Sequence, residues 1–146
     1  MVNIHIKMFF TAKPVMAATN RATRRVLSRF GAFVRQRARS SIRRRKRPGR
    51  PGEPPTNRTG LLKKFIYFGY EARNRSVVVG PAKLNQRSPY DNTTVPELLE
   101  RGGTVNGVRR GKRKRMRYRG NPYMGPALRA EEPRLPAMWK NSIKRK

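Results

Sequence analysis

The chain contains no cysteine and a single histidine, His5. Disulfides are thereby excluded, as is a structural zinc site, which draws its four ligands from Cys and His. Acids are scarce: seven Asp and Glu stand against 37 Lys and Arg, for a formal net charge of +30 on 146 residues. No apolar run approaches the ~20 residues that a membrane helix needs. The opening stretch, Met1 to Phe10, is too short and too polar for a secretory leader. These absences predict a soluble protein of a reducing cytoplasm, with no membrane association and no cofactor.

They also bear on catalysis. There is no thiol nucleophile, and His5 has no plausible Ser and Asp constellation near it in the sequence. Glu97 and Glu100 lie one helical turn apart and have the spacing of an acid and base pair or a magnesium site. Their position near a short helix start, with Arg101 adjacent, favours dipole and ion-pair roles, with Glu100 the expected partner of Arg101. Glu131 and Glu132 read as first-turn acids of the last helix. Neither Gly102-Gly103 nor Gly49-Arg50-Pro51-Gly52 has the spacing of a phosphate loop. A two-metal nuclease lacks the acids it would need. The sequence therefore predicts no enzyme, no catalytic residue and no metal site.

What the chain does have is cation in runs. Nine of the sixteen residues from Arg35 to Arg50 are basic, as are eight of the eleven from Arg109 to Arg119, and neither run contains an acid. Unpaired charges are not buried in a core, so both runs face outward, and most of their neutralising charge must come from another molecule. Arginine forks grip phosphate bidentately and release counterions on binding, without reading bases. Arg43, Arg44, Arg45, Lys46, Arg47 and Arg50, with Arg113, Lys114, Arg115 and Arg117, are the candidate contacts to nucleic acid or an acidic partner. Only Tyr118 among the aromatics lies in the second run, which is poor support for a base-stacking platform.

The hydrophobic fraction of 36%, with 12 Gly and 12 Pro, predicts one small core and extended arms. Val2, Ile4 and Ile6 alternate with Asn3, His5 and Lys7 in the period of a half-buried strand. Val15, Ala18, Ala22, Val26, Phe30, Phe33 and Val34 recur at helical steps and predict a long helix from about Pro14 to Arg44. Its opposite face carries Arg21, Arg24, Arg25, Arg29, Arg35 and Arg39, and Gly31 reads as a weak point within it. Four prolines predict an extended loop from Arg47 to Thr59, mobile as basic loops usually are. Leu61 to Tyr70 reads as an aromatic strand, paired across a turn with Val77 to Val79 and ended by Gly80 and Pro81. A polar loop from Lys83 to Thr94 leads to a short helix at Pro96, stopped by Gly102 and Gly103. The second basic run suggests a hairpin reaching out of the body, and the C-terminal helix should break near Pro133 and Pro136.

The predicted fold is α+β: a long N-terminal helix packed on a small, mainly antiparallel sheet, a C-terminal helix, and extended basic loops. It forms a single domain over 1–146, with basic arms at 43–59 and 105–120. Leu61, Phe65, Tyr67, Val78, Leu98 and Trp139 are the candidate core or subunit-interface residues.

Several segments recur in a familiar order. They are Phe33 to Ile42 at the helix end, Thr59-Gly60-Leu61-Leu62-Lys63-Lys64-Phe65-Ile66, and Val77-Val78-Val79-Gly80-Pro81. Leu98-Leu99-Glu100-Arg101-Gly102-Gly103-Thr104 and Asn121-Pro122-Tyr123-Met124-Gly125-Pro126-Ala127-Leu128 follow. In this order the chain, from about Ala22 to Ile143, resembles the head-to-tail joining, or tail-completion, proteins of the neck of tailed bacteriophages of the HK type. The resemblance implies a structural virion protein, assembled in the host cytoplasm into a homo-oligomeric ring between head and tail. Its implied neighbours are portal, adaptor, head-closure or tail-tube and terminator proteins, with DNA passing close by. The composition alone fits a basic RNA-binding protein of ribosomal type equally well.

Overall fold

The structure, a computed structural model, describes residues 12–45, 47, 49–57, 60–82, 94–109 and 111–143. The strand expected at Val2 to Ile6, with His5, lies outside these residues, as do Lys46 and most of the loop expected from Lys83 to Thr94.

A 30-residue helix, α1 (Ala12–Ser41), is the spine. Its buried side is a row spaced by four, Ala22, Val26, Phe30, Val34 and Ala38, continued by Ile42 just past the helix end. Such an i, i+4 row runs obliquely across a helix and is one of the natural packing ridges. This corrects the broader stripe expected from the sequence: Val15 is exposed and Phe33 only half-buried, because they lie off the ridge. The first ten residues of the helix bury nothing.

A one-turn helix, α2 (Leu61–Lys64), precedes the strand β1 (Ile66–Glu71), which pairs antiparallel with β2 (Ser76–Pro81) from Ile66↔Pro81 to Glu71↔Ser76. The sequence reading made Leu61 to Tyr70 one strand. The left-handed Gly60 (φ 85°) instead turns the chain into a helical turn, closed by Lys64 N–H to Gly60 O and Phe65 N–H to Leu61 O. Gly80 and Pro81 are the last two residues of β2, which ends there as expected.

This hairpin crosses α1 at Gly31. A Cβ there would sit 2.5 Å from Val77 Cγ2 and 3.2 Å from Phe68 Cδ2. Gly31 thus leaves the space beside α1 that the Val77 and Phe68 side chains of the hairpin take up. Arg35 Nε adds a hydrogen bond to Ile66 O at 2.7 Å, so part of the expected cationic face is structural.

The chain continues with α3 (Val95–Arg101) and a second antiparallel hairpin, β3 (Gly103–Arg109) and β4 (Lys112–Tyr118). Then come α4 (Met124–Glu131), a 3-10 turn (Glu132–Arg134) and α5 (Leu135–Trp139), the break falling at the prolines as expected. The architecture is α+β, with two separate two-stranded sheets in place of one. Tyr123, Ala127 and Ile66 close the core over α1, and Leu62, Val77, Val79, Leu99, Met124, Leu135 and Met138 pack around it.

None of the six candidate core or interface residues is fully buried. Phe65 and Leu98 are half-buried, and Leu61, Tyr67, Val78 and Trp139 are exposed, Val78 at 61%. Within one chain they are not core, because the ridge of α1 is already covered by Ile66, Tyr123 and Ala127. No helix among the described residues is long and apolar enough to cross a membrane.

Candidate polyanion interface

The hairpin β3–β4 carries the second basic run. Residues alternate faces along a strand, so Arg113, Arg115 and Arg117 share one face, opposite Val108, Asn106 and Thr104. Lys112, Lys114, Met116 and Tyr118 occupy the other. There Gly107 leaves room for the Met116 methyl, which would lie 2.5 Å from a Cβ, and the Tyr118 hydroxyl meets Met116 Sδ at 4.0 Å. One face is therefore a row of guanidiniums repeating about every 6.8 Å. Seven residues per strand give an arm about 23 Å long, with no extensive packing on any other described helix or strand.

The arm is fixed at its root. Gly102, at φ 72°, crosses the backbone after β4 so closely that a Cβ would lie 2.7 Å from Gly120 N and 2.9 Å from Tyr118 O. Asn121 N–H donates to Leu99 O at 2.7 Å.

The same root holds the first basic run. Asn121 Nδ2 donates to Arg50 O at 2.6 Å and to Glu53 O at 2.9 Å, and Gly52 N–H donates to Gly120 O at 3.0 Å. At its other end the loop is tied by Asn57 N–H to Arg43 O at 3.0 Å, within a parallel bridge between Arg43 and Thr56. The expected mobile loop is pinned at both ends. Two basic runs about seventy residues apart in sequence thus share one anchor, and Arg43, Arg44, Arg45, Arg47 and Arg50 all remain exposed, as do Arg113, Lys114, Arg115 and Arg117.

The acids are spent elsewhere. Glu131 is 2% exposed and pairs with both Arg37 and Arg134, the latter at 3.0 Å. The Arg37 hydrogen bond holds its carboxyl below the usual range against the opposing effect of burial, with Arg134 assisting. It closes the C-terminal end of α4 and is no first-turn acid. Glu97, not Glu100, meets Arg101, at 3.6 Å on the surface. Glu100 instead reaches across to the start of α4. Its Oε2 accepts from Tyr123 N–H (2.9 Å) and Met124 N–H (3.0 Å), and its Oε1 from Gly125 N–H (2.8 Å). Those amides are helix-start donors that would otherwise lack partners. Beneath them the Tyr123 hydroxyl is buried with no hydrogen-bond partner among the described residues. Burial first, and the nearby Glu100 carboxylate second, push its pKa up to about 12.

Among the described residues no cluster of three His, Cys, Asp or Glu side chains forms a metal site. Arg37, Arg101 and Arg134 form ion pairs there. Sequence reasoning missed the structural work of Glu100 and Glu131, and it missed Glu53, which lies between the basic residues of the loop. One signal was available: Glu53 is the only acid in the first 70 residues. Comparison with family models, characterised proteins and solved structures finds no match to the chain.

Proposed function

We propose that this chain is a structural protein of a phage neck, forming a homo-oligomeric ring that joins the portal side of the head to the tail and lets DNA pass. The observation that carries the reading is the charge distribution. Glu131 and Glu97 are held in ion pairs with Arg37, Arg134 and Arg101, while two basic segments with a common anchor expose their arginines. A chain with a net charge of +30 and so little internal compensation has its working state beside negative charge, either DNA or acidic neighbours such as portal, adaptor, head-closure or tail-tube proteins.

Two further features support a ring. The core is small, and Val78, Leu128, Val108 and Trp139 are exposed, which is apolar surface that neighbouring subunits can cover. Two of the segments that carry the phage resemblance, 98–104 and 121–128, are also joined by the Glu100 hydrogen bonds. Motif residues that hold one another in place support the resemblance better than scattered matches do.

Negative-stain imaging with native mass measurement, at low and high salt, tests the proposal. Closed rings of uniform size are expected. Monomers at every concentration and salt, with tight binding to structured RNA, would replace it with the ribosomal reading.

A further inference from the structure

Between the end of α1 and the pinned loop lies a recess of about 450 Å³, lined by Arg37, Arg43, Arg45, Glu53, Thr56 and the two serines Ser40 and Ser41. We propose that this recess is a seat for a single phosphoryl group. The inference rests on the reading that Arg43 and Arg45 meet a polyanion, and it names the group they take.

Its walls are set before any ligand arrives. The Arg43 backbone is bridged to Thr56, and the Glu53 carbonyl is held by Asn121 Nδ2 at 2.9 Å. Arg37 is positioned by Glu131 through its Nε, leaving the outer nitrogens of its guanidinium for the recess. The end of a helix is normally hostile to anions, because its last carbonyls point outward. Here the Ser41 hydroxyl donates to Ala38 O at 2.8 Å and the Ser40 hydroxyl to Arg37 O at 2.9 Å, which draws charge from two carbonyls of the last turns, and Arg43 and Arg45 stand just beyond the helix end as counter-charge to the carbonyls that remain open. The Thr56 hydroxyl has no hydrogen bond among the described residues and remains a donor.

The donors point to phosphate rather than carboxylate. A carboxylate has two oxygens in one plane and is satisfied by one guanidinium fork. Three guanidiniums from separate backbone positions, with a hydroxyl, surround their ligand and match an anion with oxygens directed several ways. Glu53, whose Oε2 accepts from Arg50 N–H at 3.3 Å, is the one carboxylate at the rim. It opposes the anion and keeps the empty recess from being excessively cationic. The phosphoryl group is either a backbone diester or the terminal monoester of a nucleic acid strand.

The test is calorimetric titration of inorganic phosphate into the full chain in chloride buffer. One phosphate per chain is expected. R43Q/R45Q should weaken it about tenfold or more, as loss of charge-assisted bonds does. E53Q, which keeps the acceptor and removes the charge, should tighten it; a gain of affinity is not a product of misfolding. R21Q/R25Q, on the exposed part of α1 outside both basic runs, removes the same charge and should leave it unchanged. Unchanged affinity in R43Q/R45Q, or glutarate binding as tightly as phosphate, overturns the seat. If R43Q/R45Q keeps its phosphate affinity while the chain still forms rings, only the seat fails and the proposed function stands. Competition by 5′-phosphorylated and unphosphorylated oligonucleotides then separates the sources. Equal displacement identifies the backbone diester, and displacement by the phosphorylated strand alone identifies the terminal group.

Discussion

Tyr123 sits where the core, the helix start and the Glu100 carboxylate meet, and its hydroxyl is the one buried side-chain polar atom left without a partner among the described residues. An ionised phenolate there would be buried beside the Glu100 carboxylate, so the folded protein holds the proton up to about pH 12 while the unfolded chain releases it near 10. Below pH 10 both states are protonated and the group is neutral to stability with respect to pH. Between 10 and 12 the unfolded state binds fewer protons, and stability falls by roughly 3 kcal/mol, on the scale of 1.36 kcal/mol per pKa unit. In an alkaline ultraviolet titration one of the five tyrosines should ionise late, together with unfolding. Tyr123→Phe removes the stranded hydroxyl without changing the ring. It should leave stability at neutral pH unchanged or raise it by up to about 1 kcal/mol, and should delete the alkaline loss. Glu131 behaves in the opposite sense. Its pKa is depressed by Arg37 and Arg134, so its contribution is present above the ordinary carboxylate range and is lost as pH falls through the lowered value. Glu131→Ala should cost about 2 kcal/mol in urea unfolding, near the low end for a broken buried pair, because both arginines can turn to water.

At the scale of elements, α4 begins with no side-chain cap of its own, and Glu100 from the preceding helix supplies one across 23 to 25 residues. Glu100→Ala should therefore destabilise the whole fold by about 2 kcal/mol, since three helix-start amides lose an ionised acceptor at once. Thermal unfolding measures this, and Glu97→Ala, which removes only an exposed i, i+4 pair, serves as the control with a change below about 0.5 kcal/mol. The contrast explains how far the sequence could be read. Periodicity located α1, the two hairpins, α3 and the proline break in the last helix, because each is declared by residues close together in the chain. Glu100 and Glu97 look alike by that criterion, both acids in one short helix beside Arg101, and only the fold decides which one turns inward. Glu131 is likewise indistinguishable from Glu132 until Arg37, 94 residues earlier, is brought beside it. Gly31 was misjudged for the same reason. Helix propensity counts its missing side chain as a cost, whereas the hairpin uses that absence to approach the helix. Gly31→Ala should cost about 1 to 3 kcal/mol in chemical unfolding despite improving propensity, because a Cβ 2.5 Å from Val77 Cγ2 forces the hairpin or its side chains to shift.

For the molecule as a whole, the hairpin β3–β4 poses a problem that its own bonds do not solve. Two isolated strands are marginally stable in water, and this pair carries Arg113, Arg115 and Arg117 on one face and Lys112 and Lys114 on the other. Like charges spaced along an arm repel, and Glu100 at its root and Glu97 in α3 are engaged elsewhere. The arm is therefore most ordered when anions screen it, which ties its structure to its use. The basic runs that the sequence showed as separate are fastened to one anchor at Asn121. Polyanion affinity should fall steeply with salt, and each cation that contacts phosphate adds about 0.9 to the logarithmic slope. Measured by fluorescence anisotropy on duplex DNA of two unrelated sequences, R115Q/R117Q should flatten that slope by about 2 on both, with thermal stability in chloride unchanged or raised. An undiminished slope would mean that the hairpin faces protein instead, and its guanidinium row would then be matched to carboxylates on a neighbouring ring. A loss on one DNA sequence only would contradict the sequence-independent contact that a row of arginines, with no side chain placed to read bases, is built to make.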